Sequence, residues 1–298
     1  MPATAFDTAV VPAGLAVVVL GLLASLTWGV ADFGGGVTSR RAPLLGVLLA
    51  TQIVGLGLAL VFAAIRSEPP VSGTFAWGDL EVGAGAGLLG ALGLSGLYRG
   101  LAVGRMGVVA PVGGVLAALI PVLGGLILQG WPSALVMSGI GLAIGSVVLV
   151  SRAEDETSDR PSGLAWGLFA GIGMGAFSLL ISRVSPGLIF GPLVVVRVVE
   201  LAAFVAAVVV ARAAWRVPRH LWPVVAGVGV LDVLGNAFYL GSTQSGPLAI
   251  AAVLSSLYPV VTVILATVVL RERVTRTHAV GIAAAAVAIA MIAGGSAG

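Results

Sequence analysis

GVVAPVGGVLAALIPVLGGLILQG, the stretch from Gly107 to Gly130, is matched in the second half of the chain by GPLAIAAVLSSLYPVVTVILATVVL, from Gly246 to Leu270. Both stretches begin with Gly, carry an apolar-Pro-Val step near the middle (at Pro121 and Pro259) and precede a last hydrophobic segment. Each is long enough to cross a bilayer as a helix. A chain that contains the same hydrophobic segment twice is best explained by an internal duplication, which predicts two related halves.

The composition excludes a soluble globular protein. Hydrophobic residues make up 59% of the 298 positions, charged residues make up 9%, and the mean hydropathy is +1.14. A soluble domain carries about 25% charged residues, with which it covers its surface. We therefore expect an integral membrane protein. All of its basic residues are Arg, and its net charge of +3 is expected to orient the loops in a bilayer and not to bind nucleic acid.

The sequence offers few groups for cofactor or metal chemistry. Cys is absent, which excludes disulfides, thiolate metal sites and Cys nucleophiles. The two histidines, His220 and His278, lie near loop arginines and are far apart in sequence, so they do not suggest a metal site. No cofactor and no metal ion are expected.

Ten hydrophobic segments are long enough to span a bilayer, and they predict an all-α polytopic membrane protein. They cover residues 13–33, 43–65, 81–101, 107–129, 133–151, 163–182, 188–211, 221–241, 246–270 and 277–294. RAEDETSDRPS, residues 152–162, is the one sizeable hydrophilic stretch and reads as a linker loop. It separates a first five-helix repeat, residues 1–151, from a second, residues 163–298.

The arginines predict how these helices are oriented. Because five is odd, a tandem copy of five helices must insert upside down relative to the first copy. Twelve of the fifteen basic residues lie in loops after odd-numbered predicted helices, which places those loops in the cytoplasm and both termini on the opposite side. The loop after predicted helix 4 has no Arg, whereas its counterpart after helix 9 has three. This opposite bias is typical of two inverted repeats.

Several motifs in this order resemble a known family. Trp28-Gly29 lies in the first helix, and Arg197 lies early in the seventh. LSSLYPVVT, Leu254 to Thr262, occupies the ninth helix and is followed by Arg271-Glu272-Arg273. The chain resembles a ten-helix, EamA-type member of the drug/metabolite transporter superfamily over nearly its whole length. The resemblance implies a secondary transporter of small metabolites or drugs that commonly moves its substrate outward.

Two places depart from the family pattern. The second helix carries Thr51-Gln52 where an Arg that would match Arg197 is often found. The loop after helix 4 reads Gln129-Gly130-Trp131-Pro132, so the Gly-Glu-Arg step is missing from the first half. These departures bear on which substrate the protein transports more than on its fold.

Polar residues within the spans are the candidate functional residues, since an ionisable side chain at the bilayer centre costs roughly 3 kcal/mol. Asp232 lies near the middle of the eighth helix, and Asn236 and Tyr239 follow at spacings that place all three on one face. Such a stripe is expected to line a cavity. The alternative is that Asp232 only bonds to a neighbouring helix and fixes packing.

Arg197 and Glu200 are three residues apart in the seventh helix, close enough for an ion pair. The pair is either structural or a gate that substrate opens, and Arg197 could then hold a substrate carboxylate or phosphate. Asp32 follows Trp28 by four residues, before Gly34, Gly35 and Gly36, which we expect to break the helix. Asp32 either pairs with Arg40 and Arg41 near the cytoplasmic interface or couples protons at the mouth of a cavity.

Gln52, Ser255 and Tyr258 are neutral groups suited to hydrogen-bonding a ligand, although a buried Ser more often bonds to its own helix. Trp28 is expected to line the cavity with them. Tyr98 and Arg99 end the third predicted helix and are interpreted as an interface anchor.

These features favour a secondary transporter with a substrate cavity between its halves. A carboxylate in a low-dielectric cavity can exchange protons near neutral pH, so protons are the expected coupling ion; ion-free exchange is the alternative. A flippase for a lipid-linked intermediate and an intramembrane enzyme are the competing functions, and the second lacks a nucleophile-base pair. The expected partners are a small-molecule substrate and the bilayer, with one chain or a homodimer. Composition rich in Ala, Gly and Arg favours a bacterial inner membrane.

Overall fold

The computed structural model describes residues 13–129, 133–152, 160–246, 248–271 and 275–296. Over this part of the chain the fold is entirely helical, with eleven α-helices and one short 3₁₀ helix at Arg219–Leu221. The α-helices are α1 (Ala13–Ser39), α2 (Leu44–Ile65), α3 (Trp77–Val103), α4 (Met106–Gln129), α5 (Ala134–Arg152), α6 (Leu164–Ile181), α7 (Phe190–Ala211), α8 (Trp222–Ser245), α9 (Leu248–Ser255), α10 (Tyr258–Val269) and α11 (Arg276–Ser296).

Each of the ten predicted segments contains a helix. The prediction that the ninth, residues 246–270, is one continuous helix was wrong. The structure interrupts it at Ser256 and Leu257, between α9 and α10. Pro259 stands in the first turn of α10, where it has no N–H to give to the carbonyl of Ser255 and where its fixed φ is favourable. α4 continues through its own internal prolines, Pro111 and Pro121. The two matched stretches therefore differ in backbone continuity.

The first helix is longer than predicted, because its three glycines do not break it. α1 continues through Gly34, Gly35 and Gly36 to Ser39. A Cβ placed on Gly35 would lie 2.1 Å from Cζ of Tyr98 in α3, closer than atoms can approach. Gly35 and Gly36 allow the close contact of α1 with α3, and Gly34 allows the contact with Val228 of α8. The helix persists because tertiary packing outweighs the low helix propensity of glycine.

The outer surface of the bundle is apolar, as lipid requires. Six described helices are long and apolar enough to span a membrane, and shorter apolar helices accompany them. Large aliphatic side chains face outward, including Val210, Val268 and Ile65, which are 84%, 71% and 70% exposed. In water such an apolar surface would promote aggregation, whereas in the hydrocarbon of a bilayer it is the expected outer surface. The chain is a multi-pass, membrane-embedded protein.

α1, α3, α6 and α8 form the centre of the bundle. α1 packs against α8, and α3 packs against α6; α2 packs on α7 and α8, and α5 packs on α11. The approach of α3 to α6 is close enough to need glycine on both sides. A Cβ on Gly173 would lie 2.5 Å from the Cα atom of Gly93. This glycine contact brings the backbones of two central helices together, as small residues do between membrane helices.

Polar side chains fasten the loops at one end of the bundle. Glu68, after α2, accepts hydrogen bonds from the backbone N–H groups of Ile189 (3.0 Å) and Gly191 (2.8 Å) at the start of α7. Asp79 in the first turn of α3 accepts one from the N–H of Ser185 at 2.8 Å. We name Glu68, Asp79 and the segment 182–191 the loop clasp. It joins the α2–α3 loop to the α6–α7 loop.

Two sequence predictions fall mostly outside the described residues. The linker over 152–162 is described only at Arg152, the last residue of α5, and from residue 160 onward. Of the motif Arg271-Glu272-Arg273, only Arg271 is described, and of the stretch 129–132 after α4, only Gln129 is described.

Candidate functional site

A buried arginine joins three helices. Arg197 lies in the first half of α7, and its side chain is 2% exposed. Its Nη1 donates to Gln52 Oε1 in α2 at 2.5 Å and to Glu200 Oε2, one turn further along α7, at 3.0 Å. The same nitrogen lies 2.7 Å from Asp232 Oδ2 in α8. We name Gln52, Arg197, Glu200 and Asp232 the charge cluster. The pair predicted from the spacing of Arg197 and Glu200 is present, and Asp232 adds a second carboxylate.

Two glycines make room for this charge cluster. A Cβ on Gly90 in α3 would lie 2.5 Å from Glu200 Oε1 and 3.2 Å from a ring carbon of Phe177. A Cβ on Gly55 in α2 would lie 3.4 Å from Arg197 Nε, so this edge of the guanidinium faces α2. The cluster is therefore enclosed by backbone on two sides, which holds its side chains in one arrangement.

Several buried donors of the site have no partner among the described protein groups. They are Nε and Nη2 of Arg197, Nε2 of Gln52 and Nε1 of Trp28. A buried donor without an acceptor costs about 1–3 kcal/mol. These atoms therefore have capacity for ordered water or for a ligand that enters the site.

Asp232 is the most accessible member of the cluster. Its side chain is 13% exposed, against 4% for Glu200. Asn236, one turn along α8, donates its amide N–H to the backbone oxygen of Asp232 at 2.8 Å and lies 3.4 Å from Oδ1. A cavity opens beside these groups and is also lined by Gly90, Met174 and Phe177. We name it the charged cavity.

An adjacent cavity is lined mainly by aromatic rings. The Trp28 ring lies 5.6 Å from the Tyr239 ring and 6.2 Å, edge-on, from the Tyr258 ring, measured between centroids. The hydroxyl of Tyr239 donates to the backbone oxygen of Ser178 in α6 at 3.1 Å. We name this cavity, whose lining also includes Met174, Ser178, Ser255 and Ser256, the aromatic cavity. The face of α8 that the sequence predicted as polar thus meets both cavities.

Asp32 lies in α1, one turn after Trp28 of the aromatic cavity. It is 5% exposed and forms no hydrogen bond or ion pair with any residue in the described part of the chain. The alternative in which Asp32 pairs with Arg40 or Arg41 finds no ion pair among the described residues, and the Arg40 guanidinium donates to the backbone oxygen of Leu101 at 3.0 and 3.2 Å. Asp32 is therefore a buried carboxyl group without a side-chain partner among the described residues.

The serines of the ninth segment bond to their own helix, as the simpler interpretation expected. The hydroxyls of Ser255 and Ser256 both donate to the backbone oxygen of Ala252, at 3.1 and 2.5 Å. Each hydroxyl oxygen still faces the aromatic cavity and retains acceptor capacity.

Sequence reasoning missed Tyr98 and the contribution of α6. Tyr98 was interpreted as an interface anchor, which is wrong, because its side chain is 1% exposed and packs against Gly35. Met174 and Ser178 line cavities although α6 carries no charged residue. The signal available for α6 was its glycine spacing, which indicated close packing only.

Comparison with known proteins supports the fold over most of the chain and a family likeness in its second half. No curated protein matches the sequence at a significant level. Eighteen chains of solved structures match the fold. One of them, described only as a crystal structure of a protein, has a TM-score of 0.67 and 16% sequence identity, with 92% of this chain and 95% of that chain covered. At this identity the likeness establishes the fold alone.

The family match lies in the second half of the chain. Residues 161–294 match the EamA-like transporter family. This region contains Arg197, Glu200, Asp232 and the interrupted α9–α10 segment. Over these residues, somewhat less than half of the chain, the sequence is similar to the EamA-like transporter family.

Proposed function

We propose that this protein is a secondary transporter that exports a small metabolite or drug, either amino-acid-like or an organic ion, across the bacterial inner membrane by alternating access. The observation that carries the proposal is the charge cluster beside the aromatic cavity, inside a bundle with a transporter-family domain. Buried ionisable groups in spanning helices mark substrate or ion pathways. Transport requires no covalent change in the substrate, so we assign no catalytic residue.

We propose further that the two halves, residues 1–151 and 163–298, are inverted five-helix repeats joined by the linker 152–162. Numbering the segments in each half from one to five, α1 corresponds to α6, α3 to α8, and α4 to α9 with α10. The contact of α1 with α8 then corresponds to that of α3 with α6, and the contact of α4 with α6 corresponds to those of α1 with α9 and α10. This exchange of contacts, together with the opposite loop charges, supports a twofold relation between the halves.

Asp232 is the residue we propose for coupling. It accepts from both Arg197 and Asn236, and it is the accessible end of the cluster. A proton delivered to its carboxylate would remove the charge that holds Arg197 and would weaken the connection between α7 and α8. Substrate would bind at the same place only when the carboxylate carries no proton. Competition of this kind couples the movement of substrate to the movement of protons.

Gln52 and Glu200 are proposed to keep Arg197 in position during this exchange. Gln52 holds it from α2, and Glu200 holds it within α7, so the guanidinium stays bonded when Asp232 is protonated. Gln52 lies where the first half would carry an Arg matching Arg197. One half thus supplies the charge and the other supplies a neutral acceptor for it.

The proposal is tested by proton movement in proteoliposomes. A pH dye enclosed in the vesicles is read while amino acids, organic anions and organic cations are added, for the wild type, Asp232→Asn and the matched control Glu81→Gln. Glu81 is an exposed acidic residue in the first turns of α3. We expect a substrate-dependent pH change in the wild type and in the control, and its loss in Asp232→Asn. Loss in both variants, or retention in both, contradicts the role of Asp232.

A further inference from the structure

Two short loops meet at one surface of the membrane. Residues 40–43 separate the spanning helices α1 and α2, and residues 212–221 separate the spanning helices α7 and α8. Because each loop lies directly between two spans, it lies at the level of the lipid headgroups. The start of α2 touches the second loop, since a Cβ placed on Gly46 would lie 2.2 Å from the backbone oxygen of Trp215. Packing therefore brings together two loops that are distant in sequence.

The side chains of these two loops form a basic and aromatic surface. Arg41, Arg212, Arg216 and Arg219 are all exposed, and the ring of Trp215 is 53% exposed. We name these five residues the basic patch. The guanidinium carbon of Arg216 lies over the Trp215 ring, 6.0 Å from its centroid. Tryptophan favours the headgroup level of a bilayer, and its attraction for a cation holds Arg216 near the same level.

The described part of the chain supplies no carboxylate to balance this patch. Neither loop contains Asp or Glu. Among the described residues the exposed acidic side chain is Glu81, and α3, which carries it, begins at the end of the bundle where α2 ends. No ion pair joins a described acidic residue to the basic patch. Four exposed positive charges at one place attract anions from the surroundings.

The helix surface beside the patch is suited to hydrocarbon. Val209 and Val210, in the last turn of α7, are 68% and 84% exposed, and they directly precede Arg212. Val224, in the first turn of α8, is 47% exposed. Arginines at the headgroup level thus adjoin apolar side chains that face lipid. A molecule that matches both features carries an anionic phosphate at one end and acyl chains at the other.

We propose that the basic patch binds an anionic phospholipid, with the phosphodiester held by the arginines and the acyl chains lying along Val209 and Val210. Guanidinium groups bind phosphate oxygens by charge-assisted hydrogen bonds. A zwitterionic phospholipid is a weaker ligand, because its own amine neutralises the phosphate. The lipid site lies at the membrane surface, apart from the charge cluster, and its existence does not depend on the proposed transport function.

A fluorophore in the second loop measures which lipids lie beside the patch. It is attached at Ala214→Cys, which is the single thiol because the chain has no Cys. The full-length protein is placed in nanodiscs of phosphatidylcholine and phosphatidylglycerol, and one lipid at a time carries a nitroxide quencher. We expect phosphatidylglycerol to be enriched at least about threefold at this label, and not at Ser72→Cys at the opposite end. Equal quenching by both lipids at Ala214→Cys overturns the proposal.

Charge-matched variants separate a local site from general attraction to a basic surface. Arg216→Gln combined with Arg219→Gln should lower the enrichment by at least about half. The control combines Arg271→Gln with Arg276→Gln, which removes two exposed arginines at the same end of the bundle, next to α11, whose main neighbours are α4, α5 and α9. An equal reduction in both variants contradicts a local site. Arg41→Gln should also lower the enrichment, and an unchanged value contradicts a site built from both loops.

Two other occupants of the patch give different results in the same measurement. Millimolar glycerol phosphate presents the phosphate without acyl chains and should leave the enrichment unchanged; displacement of the lipid would show a phosphate site and overturn the phospholipid. The acidic linker of this chain is the second alternative. Changing Glu154, Asp155, Glu156 and Asp159 to their amides should leave the enrichment unchanged. Enrichment that appears only in that variant would make the linker the occupant and overturn the lipid site.

Discussion

The side-chain oxygen of Gln52 lies 2.5 Å from Nη1 of Arg197, although the two residues are 145 positions apart in sequence. They belong to α2 and α7, which pack on each other. The bond therefore joins two helices that are distant in sequence, and it connects the two repeats that we propose.

Replacing Gln52 by Leu should destabilise the fold modestly. The change removes one acceptor from Arg197, while Glu200 and Asp232 still balance its charge. Side-chain hydrogen bonds between membrane helices contribute about 0.6 kcal/mol on average, with a maximum of about 1.7 kcal/mol. We expect a loss of about 1 kcal/mol in the free energy of unfolding. Unfolding in detergent with increasing denaturant measures it.

The matched control for this change is Thr51→Val in the same helix. The Thr51 hydroxyl donates only to the backbone oxygen of Leu48, within α2. Its replacement should leave Arg197 undisturbed and cost less than Gln52→Leu. An equal loss for both variants would mean that the contact between Gln52 and Arg197 adds nothing beyond helix packing.

Gly90→Ala should impair transport more than it impairs folding. The new Cβ would lie 2.5 Å from Glu200 Oε1, so the carboxylate must move away from its present position beside Arg197. The Glu200 side chain can rotate, but it has little room, because a ring carbon of Phe177 lies 3.2 Å from the new Cβ. We expect substrate-dependent proton movement to fall by tenfold or more, with unfolding shifted by about 1–3 kcal/mol.

Gly57→Ala tests whether the loss of transport is specific to position 90. Gly57 lies in α2, and nothing stands within 4 Å of the Cβ that the change would add. Alanine should be tolerated there, and it should favour the helix by up to about 1 kcal/mol. If Gly57→Ala lowers transport as much as Gly90→Ala, crowding at Glu200 is not the cause.

The clasp residue Glu68 should protect the start of α7 from solvent. Its carboxylate accepts from two backbone N–H groups and is paired with Arg66. Glu68→Ala leaves those N–H groups without an acceptor at a helix N-terminus, where a negative charge is favourable. Hydrogen exchange should accelerate at Ile189 and Gly191 by at least tenfold. Exchange in the middle of α7 should be unchanged, and acceleration along the whole helix would indicate global unfolding instead.

The absence of native Cys makes the membrane orientation directly measurable. Ser72 and Ala214 are both exposed, in the loop after α2 and the loop after α7. Arginine distribution predicts that the loop after α2 lies outside and the loop after α7 lies in the cytoplasm. An impermeant thiol reagent applied to intact cells should label Ser72→Cys and should label Ala214→Cys only after permeabilisation. The reverse pattern would invert the orientation of every helix.

Local sequence patterns predicted the helices better than their contacts. The spacing of Arg197 and Glu200 was enough to predict their ion pair, and the spacing of Asp232 and Asn236 was enough to place them on one face, because both follow from helix geometry. The contact of Gln52 with Arg197 could not be predicted, since it depends on how two helices cross. Tyr98 was misplaced for the same reason: Gly35 faces it only because α1 continues through the glycines.

The similarity of the two hydrophobic stretches predicted a duplication. It did not predict which of the two stretches is a continuous helix. Pro121 and Pro259 occupy similar places in sequence, yet only the second lies at a helix start. Proline in a membrane helix is tolerated when neighbouring groups satisfy the freed carbonyl, and those neighbours are set by tertiary packing. The interruption at Ser256 and Leu257 was therefore beyond what the sequence pattern alone could decide.

That interruption also makes the two proposed repeats mechanically unequal. α4 is a single rod, whereas its proposed counterpart is two short rods joined by two non-helical residues. If the proposed repeats exchange shapes during transport, the cycle must bend the hinged segment in one half-cycle and the continuous rod in the other. The two end states would then differ in free energy, and the empty protein would rest with one side of its pathway open for most of the time.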